Sequence, residues 1–173
     1  DQELLDKPYE GPNSFGKTYR EHKQAIEFNK EQHREIFSYA NDLGVIPFST
    51  PFDPKSVEML EQLDVMLYKI SSFHVVDNAL IHEVCSTKKP IILSTGMSTL
   101  EEIDKAVDKI SSHHDQFALL HCVSSYPTDD NDVNLRNIVM LKERYNCLVG
   151  YSGHERGINI CTASIPLGSC VIE

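Results

Sequence analysis

No two cysteines in this chain are spaced as a C-x-x-C pair, no glycine-rich phosphate loop follows an apolar run, and basic residues are scarce. Each absence removes a class of function. Without paired spacing, Cys85, Cys122, Cys147, Cys161 and Cys170 do not make a metal finger. They read instead as buried free thiols of a reducing compartment. The missing phosphate loop weakens the case for an open nucleotide-binding sheet. Lys and Arg number 16 against 26 Asp and Glu, a formal net charge of -10. That balance argues against nucleic acid and anionic membranes as partners. It does not exclude a small anionic ligand, because a local field can oppose the global one. No apolar stretch approaches the ~18 residues of a membrane span, and no basic-then-apolar leader is present, so the expected location is the cytoplasm.

What the chain does contain is one pattern, repeated. A hydrophobic fraction of 40% over 173 residues is ordinary for a folded domain with a substantial core. Short apolar runs, each ending in serine or threonine, occur at Val45 to Thr50, Met66 to Ser72, Pro90 to Thr95, Phe117 to Ser125 and Cys147 to Ser152. Bounded apolar runs of this length read as buried strands. One of them carries Lys69, and an ammonium has no place in a buried strand unless an anion or a carboxylate meets it.

Helical patterns separate the strands. Asn29 with Gln32 makes a capping signal before Ile36, Phe37, Ala40 and Leu43, Pro54 suits a first helical turn, and Asp77 opens another helix. Ser98 with Glu101 suggests a second capping box before Ile103, Ala106, Val107 and Ile110. Asp1 to Phe28 is polar and reads as a loop leading into a short helix, with Tyr19, His22 and His33 as surface or loop-packing residues. Strand and helix alternate at a spacing of roughly 20–30 residues, which demands parallel strands joined by right-handed crossovers. Polar residues at nearly every strand end favour a closed barrel over an open sheet. The expected fold is an α/β (β/α)8 TIM-type barrel. About six of its eight strands are present, the last beginning at Cys170, so the chain reads as part of a longer protein.

The candidate chemistry lies at those strand ends. Lys69 can pair with an anionic substrate or act as a Schiff-base nucleophile. Ser72, Ser94, Ser124 and Ser152 can each donate to a phosphate oxygen, and one cation with several hydroxyls suits a phosphate. His154, in a glycine-flanked turn, is a single possible metal ligand. Tyr126 can turn its hydroxyl towards a sugar. His121, inside an apolar strand, reads as a core or inner-barrel histidine.

With GKTYREHK from Gly16, YKISSF from Tyr68, KPIILSTGMSTLEEI from Lys89, LLHCVSSYP from Leu119, DVNLR from Asp132 and GYSGHERGI from Gly150, the chain resembles the sialic acid synthase (N-acylneuraminate synthase) family. The resemblance implies a barrel enzyme that condenses phosphoenolpyruvate with N-acetylmannosamine or a related amino sugar and releases phosphate. It implies a divalent metal, Mn2+ or Mg2+, that polarises the sugar aldehyde. On that resemblance Lys69, Ser72, Ser94, Ser124 and Ser152 line the phosphoenolpyruvate site, Thr50 stands at its edge, Tyr126 faces the amino sugar and His154 is one metal ligand. The family's second metal histidine, its early strands and its C-terminal antifreeze-like domain have no counterpart here. The expectation is therefore that residues 1–173 alone are inactive, and that the full-length protein is a homodimer. One position departs from the family. Where many members carry an acidic residue that contacts the sugar, this chain has His74, a catalytic candidate that leaves the identity of the sugar open. Two other readings remain: a Schiff-base aldolase using Lys69, and a non-catalytic barrel that binds a sugar phosphate.

Overall fold

The computed structural model describes residues 2–173, which form two compact units divided between Val45 and Ile46. The first unit carries helices α1 (Gln2–Leu5), α2 (Tyr19–Ile26) and α3 (Lys30–Asp42). Thr18 and Glu21 close a capping box on α2, and Asn29 and Gln32 close the expected one on α3. Reciprocal caps of this kind satisfy backbone donors that a short polar helix would otherwise leave to water. Tyr19 and His22, expected as surface or packing residues, share a ring cluster with Tyr9, whose centroid lies 4.5 Å from that of His22. An ion pair of Arg20 with Asp6 at 2.8 Å ties α2 to the segment before it.

The second unit is the scaffold of the site. Its order is α4 (Pro54–Glu61), β1 (Tyr68–Ile70), α5 (Asn78–Ser86), β2 (Ile91–Ser94), α6 (Leu100–Ser111), β3 (Phe117–Cys122), α7 (Arg136–Tyr145), β4 (Leu148–Ser152) and α8 (Asn159–Ser164). The four strands pair in parallel in the order β1-β2-β3-β4, without the reversal of a doubly wound sheet. Alternate residues of a strand face opposite sides. Tyr68, Ile70, Ile91, Leu93, Leu119, Val149 and Tyr151 lie under the helices and are almost wholly buried. In register on the opposite, inner face stand Lys69 beside Ile92, Ser94 beside Leu120 and Gly150, and Cys122 beside Ser152.

The expected count of six strands needs correction. Ser49 pairs with β1 through a single bridge, and Ile172 pairs with β4 through another. Pro47 and Pro51 lack the N–H that a longer strand through Val45–Thr50 would use. At the far edge the backbone is more regular. Cys170 N–H donates to Val149, Tyr151 to Val171, Glu173 to Tyr151 and Gly153 to Glu173. Gly150 permits this approach, because a Cβ there would meet the carbonyl and Cβ of Val171. Six parallel segments therefore exist, four of them as strands: an arc of a barrel.

Two further expectations shift. The capping box of α6 is Thr99 with Glu102, one residue later than expected. Ser98 instead donates its hydroxyl to the Gly96 carbonyl at 3.2 Å. All five cysteines are free, but only Cys85 and Cys122 are buried, and Cys170 is exposed.

Outside the sheet, Asp104 of α6 accepts two hydrogen bonds from Arg144 and one from the Tyr145 hydroxyl, both on α7. Those hydrogen bonds, chiefly from Arg144, hold the Asp104 carboxyl down to about 2. A depressed carboxylate contributes stability above its ordinary range that is lost as pH falls through its folded value. Thermal melts should therefore show a loss of stability between about pH 4 and 2 that Asp104→Asn makes shallower. An identical acid profile in the variant would rule the contact out as a contributor.

Candidate active site

At the C-terminal ends of the strands, the inner face of the second unit opens into a cavity of about 580 Å³. Lys69 lies in its wall with a side chain only 8% exposed. The lysine is here because the pleat of β1 sends residue 69 inward between the helix-facing Tyr68 and Ile70. Its Nζ lies 3.0 Å from Oε1 of Glu173. Ser94, at the end of β2, donates to Oε2 of the same carboxylate at 3.2 Å. Ser152, buried at the end of β4, supplies another hydrogen bond to it. Burial raises the Glu173 carboxyl, but hydrogen bonds from Lys69, Ser152 and Ser94 and the charge of Lys69 outweigh it and leave the group below its ordinary value. The carboxylate is thus ionised, and its ion pair with Lys69 engages the nitrogen that a Schiff base would need free. This weighs against a Schiff-base role.

Above that pair, three strand ends converge on the backbone of Gly96. Its N–H donates to Ser72 Oγ at 2.9 Å. A Cβ at this glycine would run into Ser124 Oγ, Ser72 Oγ and Cys122 Sγ, so no larger residue leaves those groups where they are. Met97 follows with a φ of 61°, in the left-handed region, and turns its exposed side chain to the cavity.

His154 stands on the loop after β4 and lines the cavity beside Tyr126. Its Nδ1 lies 2.8 Å from the Val123 carbonyl, which can only accept. Nδ1 therefore carries the proton, and the Nε2 lone pair is left for a ligand or a proton. The Tyr126 ring lies over the imidazole at 4.0 Å between centroids. Among the described residues no group of three or more His, Cys, Asp or Glu side chains could hold a metal ion. His154 offers one ligand, which by itself is not a metal centre.

The structure brings Lys69, Thr50, Ser72, Ser94, Ser124, Tyr126, Ser152 and His154 to one cavity. It does not bring His74 there. That histidine is 4% exposed, with Nδ1 2.9 Å from Ser71 Oγ. Its ring meets Phe52 and Phe73 edge-on at 4.8 Å and 5.2 Å. Phe52 and Phe73 are the groups that reach the cavity, and His74 lies behind them. The short 3-10 turn Ser72–His74 causes the change, because it takes the chain off the strand direction before residue 74. His121 faces the helices rather than the barrel interior. It is buried beside Tyr151, its Nε2 donates to the Val133 carbonyl at 2.6 Å, and burial lowers its basicity.

Two site residues were missed from the sequence. Glu173 was findable, since a buried lysine demands an anion and the VIE run ends a strand segment as the serines do. Gly96 carried no such signal beyond its place in STGM.

Residues 3–173 match the NeuB family. The chain is 37% identical over 171 residues to an N-acetylneuraminate-9-phosphate synthase of Drosophila melanogaster, covering 98% of this chain and 46% of that protein. It is 38% identical over 153 residues to an N,N'-diacetyllegionaminic acid synthase of Campylobacter jejuni, covering 87% of this chain and 46% of the other. A solved N-acetylneuraminic acid synthetase from Leptospira borgpetersenii, in complex with citrate, superposes with a TM-score of 0.85 at 33% identity over 87% of this chain and 53% of that one. The chain spans about half the length of the curated relatives it matches.

Proposed function

Because this chain belongs to the NeuB family, we propose that the complete protein condenses phosphoenolpyruvate with N-acetylmannosamine or a related amino sugar, forming a sialic-acid-like nonulosonate and phosphate. One observation carries the reading: a buried lysine and the hydroxyls of several strand ends line a single cavity at the C-terminal end of a parallel arc. Such a set suits a phosphorylated carboxylic acid, with Lys69 supplying charge and Ser72, Ser94, Ser124 and Ser152 supplying directed donors. Thr50 and Tyr126 line the same cavity, and the amino sugar would lie beside Tyr126.

In the proposed reaction the enol carbon of phosphoenolpyruvate bonds to the aldehyde carbon of the sugar. Water adds at the neighbouring carbon, and the C–O bond to phosphate breaks in the resulting tetrahedral intermediate. Lys69 and the serines hold the phosphate through these changes, and their fixed strand-end positions spare the cost of reorganising donors during reaction. His154, with Nε2 free, can exchange a proton with the sugar or serve as one ligand of a divalent metal. When bound, Mn2+ or Mg2+ would polarise the sugar aldehyde. A cytoplasmic homodimer is part of the same proposal, supported for the compartment by five unpaired thiols.

The test uses the complete protein with phosphoenolpyruvate, manganese and a panel of amino sugars. Phosphate release that requires a matching sugar and stops on addition of a chelator is the expected result. No phosphate release with any sugar of the panel would overturn the synthase reading. Activity that survives exhaustive chelation would overturn its metal dependence.

A further inference from the structure

Glu173 occupies the donors that an anionic substrate would need. Its Oε1 is 3.0 Å from Lys69 Nζ, and its Oε2 accepts from Ser94 at 3.2 Å, with Ser152 adding another hydrogen bond. Lys69 is the one lysine or arginine among the described residues that line the cavity. A phosphate brought to Lys69 would therefore meet a carboxylate already in place, and two anions cannot share one ammonium at contact distance without repulsion.

The two partners are held very differently. The Lys69 side chain is 8% exposed and fixed in the wall by its strand, whereas Glu173 lines the cavity from the end of a segment that pairs with β4 through a single bridge. The Glu173 backbone is pinned by bonds with Tyr151 and Gly153, which leaves its side-chain torsions as the available motion. From this geometry we propose that Glu173 is a built-in competitor for the anion site. Its carboxylate keeps Lys69 and the two serines in place in the empty pocket, and it swings out when a phosphate-bearing ligand takes those donors. The inference rests on the anion-pocket reading given above, and it assigns to Glu173 the setting of ligand affinity.

Titration calorimetry with inorganic phosphate on the complete protein tests it. Glu173→Gln retains an oxygen for the serines and removes the charge, so phosphate should bind about tenfold more tightly or better. Glu173→Ala, measured in the same way, should also bind more tightly, and it replaces the Gln variant if that one does not fold. Unchanged or weaker binding in a folded variant overturns the proposal, because a residue that merely positioned Lys69 would lose affinity when removed. Lys69→Ala separates the two levels. If it loses phosphate binding while the Glu173 variants fail to gain, only the competitor role falls. If it binds as the parent does, the anion pocket itself is wrong, and the role of Glu173 falls with it.

Discussion

Lys69→Ala in the complete protein is expected to abolish phosphoenolpyruvate binding, with a loss of affinity of roughly a hundredfold or more. The size follows from what is left behind. Lys69 is the one lysine or arginine among the described lining residues, so its removal takes the main counter-charge for the ligand out of the cavity. It also leaves Glu173 with only serine hydroxyls beside it and its charge unopposed. Lys69→Arg should not restore binding, because a planar guanidinium does not fit a wall position that leaves the lysine side chain 8% exposed. Binding of phosphoenolpyruvate, followed by calorimetry, is the measurement. Unchanged affinity in Lys69→Ala would remove the centre of the proposed mechanism. Borohydride reduction in the presence of substrate adds a separate check, since covalent trapping on Lys69 would revive the aldolase reading.

Replacement of Gly96 is expected to have the second largest effect, and by a different route. No charge is altered. A methyl group at this position must displace the Ser124 and Ser72 hydroxyls and the Cys122 thiol, which lie at the tips of side chains that can rotate. The fold should therefore survive Gly96→Ala with a loss of about 1–3 kcal/mol, the usual range for overpacking. The hydroxyls, however, turn away from their strand-end positions, and the hydrogen bond from Gly96 N–H to Ser72 is strained with them. Phosphoenolpyruvate affinity should fall by tenfold or more, as expected when two hydrogen bonds to a charged ligand are lost or bent. Gly96→Val should go further and lower the melting temperature clearly. Ser124→Ala is the calibrating variant, since it deletes one hydroxyl without moving its neighbours, and its smaller loss should bracket that of Gly96→Ala. A Gly96→Ala protein with parental affinity would show that these hydroxyls do not bind the ligand.

Much of the architecture could be read from local pattern. Asn29 with Gln32, Pro54 and Asp77 marked helix starts because capping involves residues within one turn of each other. The same locality explains the error at α6. Ser98 with Glu101 and Thr99 with Glu102 both satisfy the capping spacing, and only the path of the chain through the left-handed Met97 selects the second. Strand positions were legible where pairing occurs on both sides, as at β2 and β3. They were less so at the edges, where Ser49 and Ile172 each keep one bridge. Pairing on one side alone does not impose strand geometry on a run interrupted by prolines.

The site divides along the same line. The sequence by itself determined that a lysine inside an apolar run needed an anion, that hydroxyls gathered at strand ends, and that strands and helices alternated in parallel units. Periodicity and burial cost are properties of a few neighbouring residues, so these conclusions required no third dimension. The tertiary structure alone decided that the anion facing Lys69 is Glu173, that Gly96 is the point on which Ser72 and Ser124 converge, and that His74 lies behind Phe52 and Phe73. Each of those facts depends on how distant strands are staggered and where a chain turns off a strand. Register and staggering follow from the packing of the whole sheet, and no single stretch of residues encodes them.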